Sequence, residues 1–360
     1  MVLVKHHAVH VALVALCFCA LTAGAQSSRL TLTNHAGREL QLAESPVRLV
    51  VAGRGSFMIV HAATLFPEAK TRLLAAAGGR QLQGDDLDFL IQAGRLSTNL
   101  MRLGAEVGPE QLAPLHPDLV LLKSASVRLS DALAKVRIPA FDFDLETPEQ
   151  YEQELIALGN ILGNTQRGVD LAAYYRECRT RIASRLSDAP PEQRPRVLLV
   201  QASVRGGALS FSVPGVDWMQ TQLIQMAGGL PVWQSAATRS GWSVVGLEQT
   251  AIWNPDVILV VDYGEGNNEM ATRIRDDHTW QRLDAVKRGK VWTFPRDFVS
   301  WDQPDPRWAL GLMWTAKRLH PDRFTELNLW AEVVAFYRWY GLNEAEVTAQ
   351  IKPRLRGDWQ

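Results

Sequence analysis

The side chains best suited to a chemical task in this sequence are three arginines, Arg54, Arg296 and Arg307, each next to a glycine or a proline. A guanidinium presents a planar fork of donors that matches carboxylates, phosphates and small oxyanions. Arg54 sits in Gly53-Arg54-Gly55-Ser56, between an apolar strand and an apolar helix. Glycines there let the backbone approach a ligand, and the amides of a helix start favour an anion. An ordinary strand-to-helix turn would use the same residues. Met58 stands where a dinucleotide fingerprint needs its third glycine, so that cofactor is not indicated.

Covalent, acid–base or metal chemistry finds no local basis. His35, His61, His116, His278 and His320 are scattered, with no H-E-x-x-H, C-x-x-C or paired-histidine helix among them. No catalytic residue, metal ligand or cofactor is therefore expected, although distant ligands could converge in a fold. Cys178, in Tyr174-Tyr175-Arg176-Glu177-Cys178-Arg179, reads as a packing residue on a helix. An enzyme would need a base or metal ligands that the pattern does not supply.

Composition narrows the partners. The chain has 360 residues, 47% of them apolar and 21% charged, an ordinary globular mixture with length for two domains. Its 38 basic residues balance 38 acidic ones, so no nucleic-acid partner is indicated. All twelve tryptophans lie at or beyond Trp218, which makes the halves chemically unlike. Residues 1–25 carry one lysine, an apolar run from Ala8 to Leu21, and Ala23-Gly24-Ala25 before Gln26. That is the layout of a cleaved secretory signal, too short for a comfortable membrane span. Leu16 before Cys17 and Phe18 before Cys19 argue against a lipoprotein signal.

A repeat supplies the architecture. The segment from Glu110 to Leu122 (EQLAPLHPDLVLL) aligns without gaps to that from Glu248 to Val260 (EQTAIWNPDVILV), with six of thirteen positions identical and an offset of 138 residues. Each copy reads as a short helix, a Pro-Asp turn and an unbroken apolar run, which suits a parallel strand covered on both faces. Arg48–Ala52 and Pro139–Phe143 read as further strands of the first half, and Arg196–Val200 and Val291–Phe294 of the second. Between the halves, Thr147 is a good N-cap and Pro148 a good first helical residue. Leu155, Leu158, Ile161 and Leu162 recur at helical spacing, Gly163-Asn164 breaks the helix, and it resumes to about Leu186. The expected fold is α/β, with two similar lobes built on mostly parallel sheets and joined by one long helical crossover. The expected organisation is a signal peptide (1–25), an N-terminal lobe (26–146), the crossover (147–189), a C-terminal lobe (190–345) and a tail (346–360).

Ligands of open α/β sheets sit beyond the carboxyl ends of the strands. In two facing lobes that rule selects Arg54, Gly55, Ser56, Lys123 and Ser124 on one side, and Gln201, Ser203, Tyr263 and Arg296 on the other. Trp242 and Ser243 in Ser240-Gly241-Trp242-Ser243, and Trp301 in Ser300-Trp301-Asp302, are expected on aromatic cleft loops. Trp314, Trp330 and Trp339 have helical spacing and read as core. Arg307 could equally hold its own loop by pairing with Asp302 or Asp305.

This ordered set resembles the type III periplasmic solute-binding proteins of ABC importers for iron–siderophore, haem and cobalamin ligands. The residues that carry the resemblance are the Leu158-Gly159-Asn160-Ile161-Leu162-Gly163 stretch, both Pro-Asp strands, the segment from Trp280 to Val291 (WQRLDAVKRGKV), Ser300–Trp308, Leu319-His320-Pro321 and Phe336–Gly341. It spans about residues 30–345. The resemblance implies a periplasmic, monomeric receptor with no chemistry of its own, which hands a small anionic ligand or metal chelate to an inner-membrane ABC permease. An iron–siderophore type of complex is the first expectation. Molybdate, tungstate, haem or cobalamin on the same fold are alternatives. It also implies an acidic docking residue on each lobe tip, and Glu110 and Glu248 occupy equivalent repeat positions. A glutamate in a first helical turn is also ordinary dipole complementation.

Overall fold

A computed structural model of the chain describes residues 30–34, 36–77, 82, 84–104, 106–205, 208–263 and 269–360. The expected signal segment and His35 lie outside the described residues. An antiparallel hairpin, β1 (Leu30–Thr33) and β2 (Glu39–Leu42), leads into the first lobe. The lobe's sheet contains β3 (Leu49–Ala52), β4 (Leu73–Ala77), β5 (Met101–Leu103), β6 (Leu119–Lys123) and β7 (Ala140–Phe143). Its order is β5-β4-β3-β6-β7 and every pairing is parallel. β3 and β6 are buried along their whole length, which is why they read as unbroken apolar runs. Helices α1 (Ser56–Thr64), α2 (Ala69–Arg72), α3 (Asp85–Gln92), α4 (Pro109–Leu112) and α5 (Val127–Lys135) complete this half.

The crossover is two helices, α6 (Pro148–Leu162) and α7 (Thr165–Leu186). Thr147 accepts from the Gln150 amide while the Gln150 side chain accepts from the Thr147 amide, so the expected cap is a reciprocal capping box. Gly163 ends α6 in the left-handed region and Asn164 caps α7. A Cβ on Gly159 would come within 2.8 Å of the Asn164 carbonyl, and one on Gly168 within 2.7 Å of the Leu155 carbonyl. Those two glycines let the helices touch backbone to backbone. α6 lies against β1, whereas α7 packs on helices of the second half. Cys178 is buried on α7, where burial pushes its thiol up to about 12. It therefore stays protonated and fills space.

The second sheet holds β8 (Arg196–Arg205), β9 (Ala208–Val213), β10 (Leu230–Pro231), β11 (Ser243–Val245), β12 (Val257–Val261) and β13 (Val291–Thr293). Its main order is β11-β9-β8-β12-β13, with β10 beside the start of β8. β8, β12 and β13 run parallel, but β8–β9 and β9–β11 are antiparallel. The first strand of this half does not stop at Val200 as expected. It runs ten residues and returns as a hairpin, so no crossover helix forms there. The remaining helices are α8 (Met219–Met226), α9 (Leu247–Trp253), α10 (Glu269–Asp276), α11 (Asp284–Lys287), α12 (Trp308–Leu319), α13 (Leu329–Tyr337) and α14 (Glu344–Gln350). Residues 346–360 are not a loose tail. Asp358 accepts from the Thr293 amide at 2.6 Å, its carbonyl accepts from the Trp314 indole at 2.7 Å, and Arg356 and Arg296 exchange backbone hydrogen bonds.

Each Pro-Asp turn performs one structural task. Asp118 accepts from the amides of Val47 and Arg48 at 2.9 Å each, and Asp256 accepts from the Arg196 amide at 2.9 Å. Arg48 reaches back to the carbonyls of Leu115 and His116, and Arg196 to those of Trp253 and Asn254. His116 and Asn254 both take positive φ, 47° and 37°. The repeat is thus a shared way of starting two neighbouring parallel strands together within each sheet.

Side-chain contacts join the two lobes. Phe89 of α3 stacks on Phe298 with ring centres 4.6 Å apart. Arg95 donates to the Tyr340 carbonyl at 3.0 Å, and Tyr175 of α7 donates to the Pro306 carbonyl at 2.6 Å. Arg167 ties Leu65 of the first lobe to Trp339 of the second through their carbonyls.

Candidate functional site

α1 follows β3, and the segment from Phe294 to Arg307 follows β13. His61 of α1 meets Asp305 of that segment, and ligands of such sheets are held beyond the carboxyl ends of the strands. On the first lobe, Gly53 and Gly55 have φ of 84° and 72°. A Cβ on Gly53 would collide with Ser126, and one on Gly55 would press on the Lys123 stem. The turn therefore needs both glycines, and it leaves Arg54 exposed at the start of α1. Gly53 and Arg54 line an open groove of about 960 Å³ on the first lobe that extends to the Glu106–Gly108 loop, to Glu110 at the start of α4 and to the first turn of α5. Ser56 is buried and donates to the Ala77 carbonyl, so it anchors the turn to β4.

Lys123 and Ser124 do not present free polar groups. Lys123 is buried, and its ammonium donates to the Asp144 carbonyl and to Glu146 at 2.7 Å. Ser124 donates to the Asp144 carboxylate. Glu154 of α6 braces the same loop by accepting from the amides of Asp144 and Leu145 at 2.8 and 2.6 Å. Burial pushes the Glu154 carboxyl up to about 7 against those two amides. The expected basic cleft residue is thus consumed in holding the loop after β7.

On the second lobe, Trp242 meets Trp218 and Tyr263 edge-on, at ring-centre distances of 5.8 and 6.0 Å. All three are half-buried. The Tyr263 hydroxyl donates to Asp302 at 2.6 Å and accepts from Gln220 at 3.5 Å. Burial raises the Asp302 carboxyl above its ordinary range. Arg296 is half-buried, and its guanidinium donates to the carbonyls of Asp262 and Phe298 at 3.4 Å each.

Four other expectations need correction. Gln201 and Ser203 lie inside β8, paired with Ser212 and Ser210, because the strand continues into its hairpin. Ser243 starts β11, and its hydroxyl accepts from the Thr238 amide at 3.2 Å, which closes a local loop. Trp301 is fully buried and donates to Asp297 at 3.2 Å, so its indole belongs to the core. Trp233, Trp280, Trp308 and Trp314 are fully buried as well. The tryptophan excess is mainly packing, with Trp218 and Trp242 at the candidate site. Trp218 was missed because its signal, an Asp-Trp pair before a helix, has no distinctive spacing.

Arg307 takes the loop-holding alternative. It is fully buried, pairing with Asp297 at 2.7 Å and Asp305 at 2.9 Å. The sequence reading also missed His61. Its ring stands between Asp86 and Asp305, a partnership formed across 244 positions of chain that no local pattern announces. Glu110 and Glu248 are exposed in the first turns of α4 and α9. Among the described residues no cluster of three or more potential metal ligands occurs and no helix is long and apolar enough to cross a membrane.

The chain thus has two α/β lobes joined by a helical crossover, a basic turn on the first lobe and an aromatic corner on the second. The family model described as periplasmic binding protein matches residues 95–298, and the chain belongs to that family. It is a solute-binding protein of an ABC transporter and not an enzyme. Among curated relatives, the molybdate-binding protein MolA of Haemophilus influenzae is 29% identical over 256 residues, covering 64% of this chain and 69% of that one. Its structure with molybdate has a TM-score of 0.70 at 21% identity, over 87% of this chain and 98% of that chain. A periplasmic solute-binding protein from Veillonella parvula gives 0.69 at 20%, over 90% and 97%. The nickel–histidine complex of Helicobacter pylori CeuE gives 0.70 at 15%, over 90% and 99%. These structural likenesses establish the fold.

Proposed function

We propose that this chain is a periplasmic receptor that delivers an oxyanion of the molybdate and tungstate class to an ABC permease. The observation that carries the reading is the exposed Arg54 beside the glycine-bounded start of α1. A guanidinium and a helix start offer charge and directed donors to a compact anion. The identity with a molybdate-binding relative supports the same choice. The expectation of an iron–siderophore complex becomes the second reading, together with haem and cobalamin. The Trp218–Trp242–Tyr263 corner favours it, because a broad aromatic wall suits a large chelate.

The remaining assignments belong to the same proposal. Residues 1–25 direct export and are removed before Gln26. Glu110 and Glu248 meet basic residues of the permease. The receptor acts as a monomer. Trp218 and Trp242 make tryptophan fluorescence the direct test, with molybdate, tungstate, a ferric siderophore, haem and cobalamin titrated in turn. Molybdate and tungstate should saturate the signal while the larger ligands leave it unchanged. A response confined to the large chelates would favour the second reading. Silence from all five, with the protein folded, would count against a cleft at these residues.

A further inference from the structure

His61 lies on α1, five residues after Ser56, and is 1% exposed. Its Nε2 faces Asp86 of α3 at 2.8 Å and its Nδ1 faces Asp305 of the second lobe at 2.5 Å. Both ring nitrogens meet carboxylate acceptors, so both carry hydrogen and the ring is an imidazolium. Behind it the charges continue. Asp305 pairs with Arg307, and Arg307 pairs with Asp297, the neighbour of Arg296. One buried series therefore runs from the helix that begins at the Arg54 turn to the loop that carries Arg296.

We propose that His61 is an inter-lobe clasp, which sets the aperture of the cleft by tying α1 to the loop after β13 through Asp305. The receptor function supplies only the purpose of that aperture. The clasp itself rests on the geometry. The groups facing it are few. Asp86 and Asp305 touch the ring, Arg307 stands behind Asp305, and the edge of Phe57 closes one side. Tyr151 of α6, Tyr175 of α7 and Tyr340 lie beside Asp305, and burial keeps their hydroxyls protonated. Burial alone would lower the His61 pKa, but the two carboxylates overcome it and push it up to about 9. Burial would likewise raise Asp305, yet Arg307 and His61 hold it well below the usual carboxylate range. Because the folded pKa of His61 exceeds its unfolded value, about 6.5, the clasp is complete below that value. It is lost as pH rises through about 9.

The test needs no ligand. Val127→Cys and Val244→Cys, 59% and 69% exposed and one on each lobe, take spin labels in protein purified from the periplasm. Cys178 is buried and stays unlabelled. Pulsed electron resonance should give one narrow distance at pH 7 that broadens by pH 10.5. His61→Gln should be broad at both pH values, with the pH dependence gone. Asp86→Asn leaves the Asp305–Arg307 pair in place and covers the case in which His61→Gln does not fold. It should start broadening at lower pH than the wild type. A folded His61→Gln with the wild-type narrow distance, or an Asp86→Asn profile identical to the wild type, would overturn the clasp. Either failure leaves the fluorescence test of the receptor untouched, and a silent titration leaves the distance test untouched.

Discussion

The two Pro-Asp units use one device in unlike surroundings. In the first lobe, Asp118 holds two amides at the head of β3, and the sheet beyond it is wholly parallel. In the second, Asp256 holds one amide at the head of β8, and that strand runs on into an antiparallel hairpin. The same strand-starting device therefore tolerates different sheets, because it fixes only where two neighbouring strands begin. The lobes diverge in the loops at the carboxyl ends of those strands. One offers glycines and an exposed arginine; the other offers indoles and a phenol.

The largest effect should come from treating the tips as a pair. Glu110→Arg together with Glu248→Arg should abolish molybdate uptake by cells, and Glu248→Arg alone should leave the purified receptor's affinity unchanged, since of the two only Glu110 lines the Arg54 groove. Uptake that survives would show that the equivalent positions are not both docking points. Next in size, Arg307→Met strands two buried carboxylates and should cost about 3–5 kcal/mol in urea unfolding. Lys123→Met in the first lobe should cost less, because Glu146 retains access to water. A third comparison weighs the cleft walls by fluorescence. Arg54→Ala should weaken molybdate binding by about tenfold or more, the loss of a charge-assisted hydrogen bond of about 1.5–3 kcal/mol. Trp242→Ala should change it by only about threefold, and the opposite order would move the ligand toward a large chelate. The smallest difference lies in the repeat itself. By analogy with lost side-chain caps, Asp118→Ala and Asp256→Ala should each cost about 0.5–2 kcal/mol, with Asp118 the larger because two amides lose their acceptor.

Legibility followed range along the chain. The N-cap at Thr147, the stop at Gly163 and both Pro-Asp strands were readable, since each depends on residues within a few positions of one another. Arg54 and the Gly53–Ser56 turn were readable for the same reason. The failures have a common cause. Lys123 and Trp301 carry suitable chemistry, but Glu146 and Asp297 use it up in the fold. Gln201 and Ser203 were placed at a strand end that does not exist, because apolar patterning marks where a strand begins better than where a polar hairpin prolongs it.

The sequence by itself determined a two-lobed α/β fold with a helical joint, because caps, breakers and apolar runs act locally and were repeated. Only the tertiary structure decided which charges remain for a ligand. Burial makes an unpaired charge costly, so His61 and Lys123 were drawn to carboxylates in other segments, and Arg307 to two within its own loop. Arg54 was left at the surface because a glycine on each side keeps its turn narrow and open.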